Sequence, residues 1–147
     1  MSRSSKLVSA RSKARKQALD ILFESDIRGS VALDILLSRD VIEEGPDARP
    51  IREYTREIIN GVSEHHRKID ELIATYAQGW DMDRLPAVDR SILRIGIYEI
   101  IWANTLPDAV AIDEALTLAK ELSTDESAGY IHGVLGKIAS IKESISL

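Results

Sequence analysis

Six basic side chains, Arg3, Lys6, Arg11, Lys13, Arg15 and Lys16, fall within the first sixteen residues, and no acidic residue stands among them. The whole chain has a formal net charge of -5, so the remainder holds 13 basic against 24 acidic side chains, or -11. Cations segregated in this way suit reversible contact with a polyanion, gripped at one end and repelled by the body. Nucleic acid is the first partner that this pattern points to. A short basic terminus also occurs as a solvated tail, so charge alone leaves both readings open.

Other residue types that carry chemistry are present without the spacing that chemistry requires. His65 and His66 are neighbours, and on a helix their side chains diverge by about 100°, which prevents them from chelating one metal together. They read as two solvated histidines. No serine lies in a nucleophile elbow. Asp81, Asp83, Asp89 and Asp113 lack the spacing of a calcium loop, and Gly133 with Gly136 lacks the preceding strand of a phosphate-binding loop. The expectation is a protein that is not an enzyme, with no catalytic residue, metal site or cofactor.

Glu99 interrupts an apolar run and reads as a structural ion-pair partner of another element. Arg94, five residues away, is about 140° round the same helix and is poorly placed to meet it. Tyr76, Trp80 and Trp102 read as core or rim packing. Tyr130 differs, because it sits just inside a capped helix start beside Ala128 and Gly129. An exposed ring there is a platform on which an unstacked base can lie.

These residues must be held by helices. A helix is expected from Ser9 or Ser12, either of which can cap it, to Asp26, with Ala14, Ala18, Ile21 and Leu22 apolar and Arg11, Lys13, Arg15 and Lys16 fanning out around its start. Gly29 stops it, and Val31 to Ser38 reads as a short second helix. Glu43 to Asp47 is a loop by composition, and Pro50 is placed to open a third helix carrying Tyr54, Ile58 and Ile59. The helical period then runs on to about Ala77, leaving open whether Gly61 interrupts it. After a break from Gly79 to Pro86, with Asp83 a candidate cap, residues 88–103 are apolar nearly all round, as suits the central helix of a bundle. Val110 to Leu122 reads as another helix, and Ser123-Thr124-Asp125-Glu126 fits a capping box for the last.

The outcome is an all-α class, a single-domain compact bundle of about six to seven helices over residues 11–147, preceded by a basic, flexible arm at residues 1–10. With 44% hydrophobic, 29% charged and only 5% aromatic residues, the composition suits helices better than sheets. There is no cysteine, so disulfides and thiolate zinc sites are excluded. No signal peptide or membrane span is readable, and the expected location is cytoplasmic.

Three segments in order resemble the NusB family of bacterial transcription antitermination factors. They are Arg11-Ser-Lys-Ala14-Arg15-Lys-Gln-Ala18 with Leu22-Phe23, then Val88-Asp89-Arg90 through Leu93-Arg94 to Tyr98-Glu99, and then Pro107 to Lys120 followed by Gly133-Val134-Leu135. The resemblance implies an all-helical, non-enzymatic protein. It would bind single-stranded boxA RNA of ribosomal RNA leader transcripts together with NusE, a small-subunit ribosomal protein, and act indirectly on the RNA polymerase antitermination complex. It also implies phosphate contacts from Arg11, Lys13, Arg15 and Lys16, supported by Arg3 and Lys6, and an RNA surface including Glu126, Tyr130 and His132. Phe23, Asp89 and Arg90 would face NusE. Ser12 interrupts an arginine run usual in the family, and His132 replaces an asparagine. The alternative is a homodimeric helical interaction protein in ribosome biogenesis that binds RNA only nonspecifically.

Overall fold

The structure is a computed structural model that describes residues 3–42, 45, 50–77, 79 and 85–147, with the backbone alone at 3–9, 41 and 42. The side chains of Arg3 and Lys6, the loop expected at residues 43–47 apart from Gly45, and Trp80, Asp81 and Asp83 lie outside the described residues. Seven α-helices and no strand occur among those described: α1 (Arg3–Arg28), α2 (Ala32–Ile42), α3 (Glu53–Glu64), α4 (His66–Tyr76), α5 (Ala87–Tyr98), α6 (Asp108–Leu122) and α7 (Asp125–Ile141). The chain divides into two compact units, Met1–Ser63 and Glu64–Leu147.

In the first unit α1 begins at Arg3, ahead of the expected serine caps, so helix replaces the anticipated arm from that residue onward. Its other end is a Schellman turn. Gly29 takes a left-handed φ of 67°, and the Ser30 amide donates to the Ser25 carbonyl at 3.2 Å. Pro50 does not open α3, which starts three residues later at Glu53. The reason is a pin from α1: Gln17 donates through Nε2 to the Pro50 carbonyl at 3.2 Å and accepts from the Arg52 amide at 3.0 Å. Those bonds hold the chain against α1 before it can coil. Fully buried Thr55 completes the junction, its Oγ1 lying 2.8 Å from Gln17 Oε1 and 3.0 Å from the Ala14 carbonyl. Gly61 does not interrupt α3; the break comes at His65.

In the second unit α5 packs against α4, α6 and α7, the central position that its nearly continuous apolar surface requires. Ile92, Leu93, Ile95 and Ile97 of α5 are buried, as are Ile69 and Ile73 of α4 and Ile131, Leu135 and Ile138 of α7. Gly96 permits this approach, because a Cβ there would stand 2.7 Å from Leu135 Cδ1. The single helix expected over residues 88–103 is α only to Tyr98; Glu99–Ala103 form a π-helical turn that ends at Asn104 in the left-handed region. Trp102 in that turn stacks on His65, with ring centroids 4.1 Å apart and planes 7° from parallel. His65 is therefore a packed ring, while His66 is exposed.

Candidate nucleic-acid interface

Helical spacing divides the four basic residues between Arg11 and Lys16 of α1 into two rows. Lys13 and Lys16, three apart, are exposed. Arg11 and Arg15, four apart, turn to Tyr54 of α3, their guanidinium carbons 4.7 and 5.4 Å from its ring centroid. Arg15 is only 3% exposed. The expectation that all four cations fan outward is corrected here: a weakly hydrated guanidinium gains from stacking on an aromatic face, which an ammonium does less readily, so the arginines brace α1 on α3 and the lysines face water. Arg11 is half-buried and keeps part of its surface.

Further along α1, Phe23 is 37% exposed and Ile27, one turn on, is 64% exposed. Val31 and Leu37 are likewise exposed, so the first unit shows several unpacked apolar side chains. Ile27 was missed from the sequence, although its spacing of four from Phe23 is a readable signal.

In the second unit, the start of α7 is built around a buried carboxylate. Asp89 of α5 is 3% exposed; it accepts from Ser123 Oγ at Oδ1 and from Ser127 Oγ at Oδ2, each at 2.7 Å. The cap of α7 is Thr124, whose Oγ1 accepts from the Ser127 amide at 3.0 Å, rather than Ser123 answered by Glu126. Ser123 is committed to Asp89, which is why the capping pair shifts by one residue. Asp89, expected on a partner surface, is thus an interior anchor that ties the first turn of α5 to the first turn of α7. Arg90 is half-buried, and its Nη1 donates to the Leu85 carbonyl at 3.3 Å. Arg94 grips Asp70 of α4 through two bonds, at 2.9 and 3.3 Å. Glu99 is 2% exposed and has partners of its own.

Glu126 is exposed and Tyr130, four residues on, is half-buried on the same side of α7. Burial, and then the negative charge of Asp89, push the Tyr130 phenol above its ordinary pKa, so it stays neutral at physiological pH. His132 is exposed, but two residues from Tyr130 it points to the far side of the helix, about 200° round. The structure therefore groups Glu126 with Tyr130 and leaves His132 apart. No cluster of three His, Asp or Glu side chains suited to a metal occurs among the described residues. None of their helices is long and apolar enough to cross a membrane.

The sequence profile of the NusB family matches residues 12–140. The chain belongs to the NusB family. Among its relatives, the transcription antitermination protein NusB of Nocardioides sp. is 49% identical over 140 residues, covering 95% of this chain and all of that protein. NusB of Kineococcus radiotolerans is 47% identical, covering 95% of this chain and 99% of its own. Among solved structures, T. maritima NusB superposes with a TM-score of 0.76 at 33% identity, over 88% of this chain and 90% of that one. A crystal structure of antitermination factors NusB and NusE in complex with dsRNA shares the fold, with a TM-score of 0.75 at 23% identity over 90% and 97% of the two chains. The all-α reading and the NusB-family resemblance are both upheld.

Proposed function

We propose that this chain is a non-catalytic transcription antitermination factor of the cytoplasm, binding single-stranded boxA RNA of ribosomal RNA leader transcripts together with NusE and acting on RNA polymerase through that assembly. The observation that carries the reading is the exposed Lys13 and Lys16 row on α1, at the basic end of an otherwise acidic chain that matches the NusB family over most of its length. A NusB of this fold has been crystallised with NusE and dsRNA, which supports NusE and RNA as classes of partner.

Two functions are divided between separate chemistries. Lys13, Lys16 and Arg11, with Arg3 and Lys6 ahead of them, supply charge that any phosphate backbone can use. On α7, Glu126 supplies an acceptor that can read a base edge, and Tyr130 supplies a ring on which an unstacked base can be held for that reading. Phe23, joined by Ile27, gives NusE an apolar contact, and Asp89 contributes by fixing where α7 begins. The test is binding of labelled boxA-like RNA and its scrambled counterpart, with and without NusE, at two salt concentrations. Preference for the matched RNA that NusE strengthens is the expected result; equal, weak, salt-erased binding to both RNAs contradicts it.

The exposed Phe23, Ile27, Val31 and Leu37 favour one second reading, a homodimer in which another copy covers apolar side chains of the first unit. Light scattering across concentration separates the two: a persistent dimer without RNA preference supports the homodimer.

A further inference from the structure

A groove of about 480 Å³ runs between α4 and α7 in the second unit, and a hollow of about 440 Å³ continues it toward the C-terminal end, the two sharing Thr75, Tyr76 and Lys137. Volumes of this size accommodate a small organic ligand. Tyr76 of α4 and Tyr130 of α7 give the groove an aromatic side chain from each helix. Its only charged lining residue is Lys137, which is exposed and makes no ion pair among the described residues. The adjoining hollow adds Lys68 and Glu71, which pair with each other at 3.3 Å, so the groove is net cationic in a chain of charge -5.

The lining also includes Gly129 and Gly133, one turn apart on α7. A glycine inside a helix lowers its stability relative to alanine, so its position calls for a physical reason. Gly96 has one inside the fold, since Leu135 occupies the space of a Cβ. Gly129 and Gly133 have none, because nothing lies within 4 Å of a Cβ at either. What they do is bare the backbone of α7 beside Tyr130, so that a flat ring from outside can reach van der Waals contact. Thr75, which also lines the groove, donates its hydroxyl proton to the Glu71 carbonyl at 2.8 Å, so its oxygen keeps lone pairs that can accept.

We infer that this groove seats one unstacked RNA nucleotide, its base against Tyr130 and Tyr76 over the glycine floor and its phosphate on Lys137. The inference rests on the RNA-binding reading above and adds a subsite to it, with Tyr76, Gly133 and Lys137 as residues that determine how tightly one base is held. The Thr75 acceptor favours a base that presents an amino group.

Two substitutions test the groove from different sides. Gly133→Leu places a side chain in the groove from a position where a Cβ meets nothing within 4 Å, and Lys137→Glu reverses its charge; Lys120→Glu, at an exposed site on α6, makes the same charge change elsewhere. Thermal melts of all three establish folding, and Lys137→Glu alone suffices if Gly133→Leu fails. By titration with matched boxA-like RNA, each groove variant should bind about 5-fold or more weakly, as loss of one stacked base requires, and Lys120→Glu should change binding less than about 2-fold. Lys137→Glu should also flatten the log-log salt slope by about 0.7 or more, while Gly133→Leu leaves it unchanged. Wild type that prefers matched RNA, alongside groove variants that bind like wild type, overturns the subsite and leaves the RNA reading standing. Wild type without that preference overturns both.

Discussion

In the proposed function the basic row on α1 and the start of α7 would serve recognition by opposite means. On α1 the groups proposed for RNA contact are exposed ammonium ions at the ends of flexible stems, and Arg11 and Arg15 of the same helix are stacked on Tyr54 as structure. At α7 the first turn is set by a buried carboxylate clasped by two hydroxyls. Flexible surface charge is tolerant of geometry and therefore of sequence in the RNA. A ring on a fixed helix start is not. The difference teaches that grip and reading can be separated by mutation, because one depends on charge and the other on position.

The largest effect should come from the anchor. Asp89→Ala removes both acceptors and strands Ser123 and Ser127, and it should lower unfolding free energy by about 2–4 kcal/mol, measured by urea titration. Unchanged stability with lost NusE binding would return Asp89 to the partner surface and erase this side of the comparison. Gly96→Ala tests the same scaffold by overpacking Leu135 and should cost about 1–3 kcal/mol in the same assay. Tyr130→Ala sharpens the reading side: it should weaken matched RNA by about 1–3 kcal/mol while scrambled RNA changes little, and equal losses on both would argue against base reading. Arg15→Ala tests whether that arginine is structural. It should lower the melting temperature, with a loss of about 1–2 kcal/mol, and leave the salt slope of RNA binding in place.

The smallest effect lies in an ion pair between α2 and α3 of the first unit. The Arg56 guanidinium hydrogen-bonds Asp40 through both oxygens and holds its carboxyl below the usual carboxylate range, partly opposed by burial. A depressed folded-state pKa means that the stabilisation is present above the unfolded carboxylate value of about 3.9 and is lost as pH falls through the folded one. The stability difference between wild type and Arg56→Leu should be small at neutral pH and vanish in acid. A difference that grows on acidification would contradict the pairing.

Period and turn chemistry made the helices legible, because an apolar stripe every three or four residues and a glycine at position 29 act locally. The family resemblance was legible for the same reason, being carried by contiguous motifs. What escaped depends on residues distant in sequence. Gln17 delays α3 past Pro50 by bonding the chain from 33 and 35 positions away. Asp89 takes Ser123 from the cap, and Tyr54 draws Arg11 and Arg15 out of the cationic row. The π-helical turn at Glu99 has no local marker either, since the apolar pattern runs through it unchanged. Residue types named the candidates for RNA contact; tertiary partners decided which of them reach solvent.

The most direct test of that division is the salt dependence of RNA binding by the double variant Lys13→Ala/Lys16→Ala. If the two lysines each neutralise a phosphate, the log-log slope should flatten by about 1.4, with matched and scrambled RNA weakened alike and the preference between them preserved. A slope equal to that of wild type, or a loss confined to matched RNA, would contradict the account.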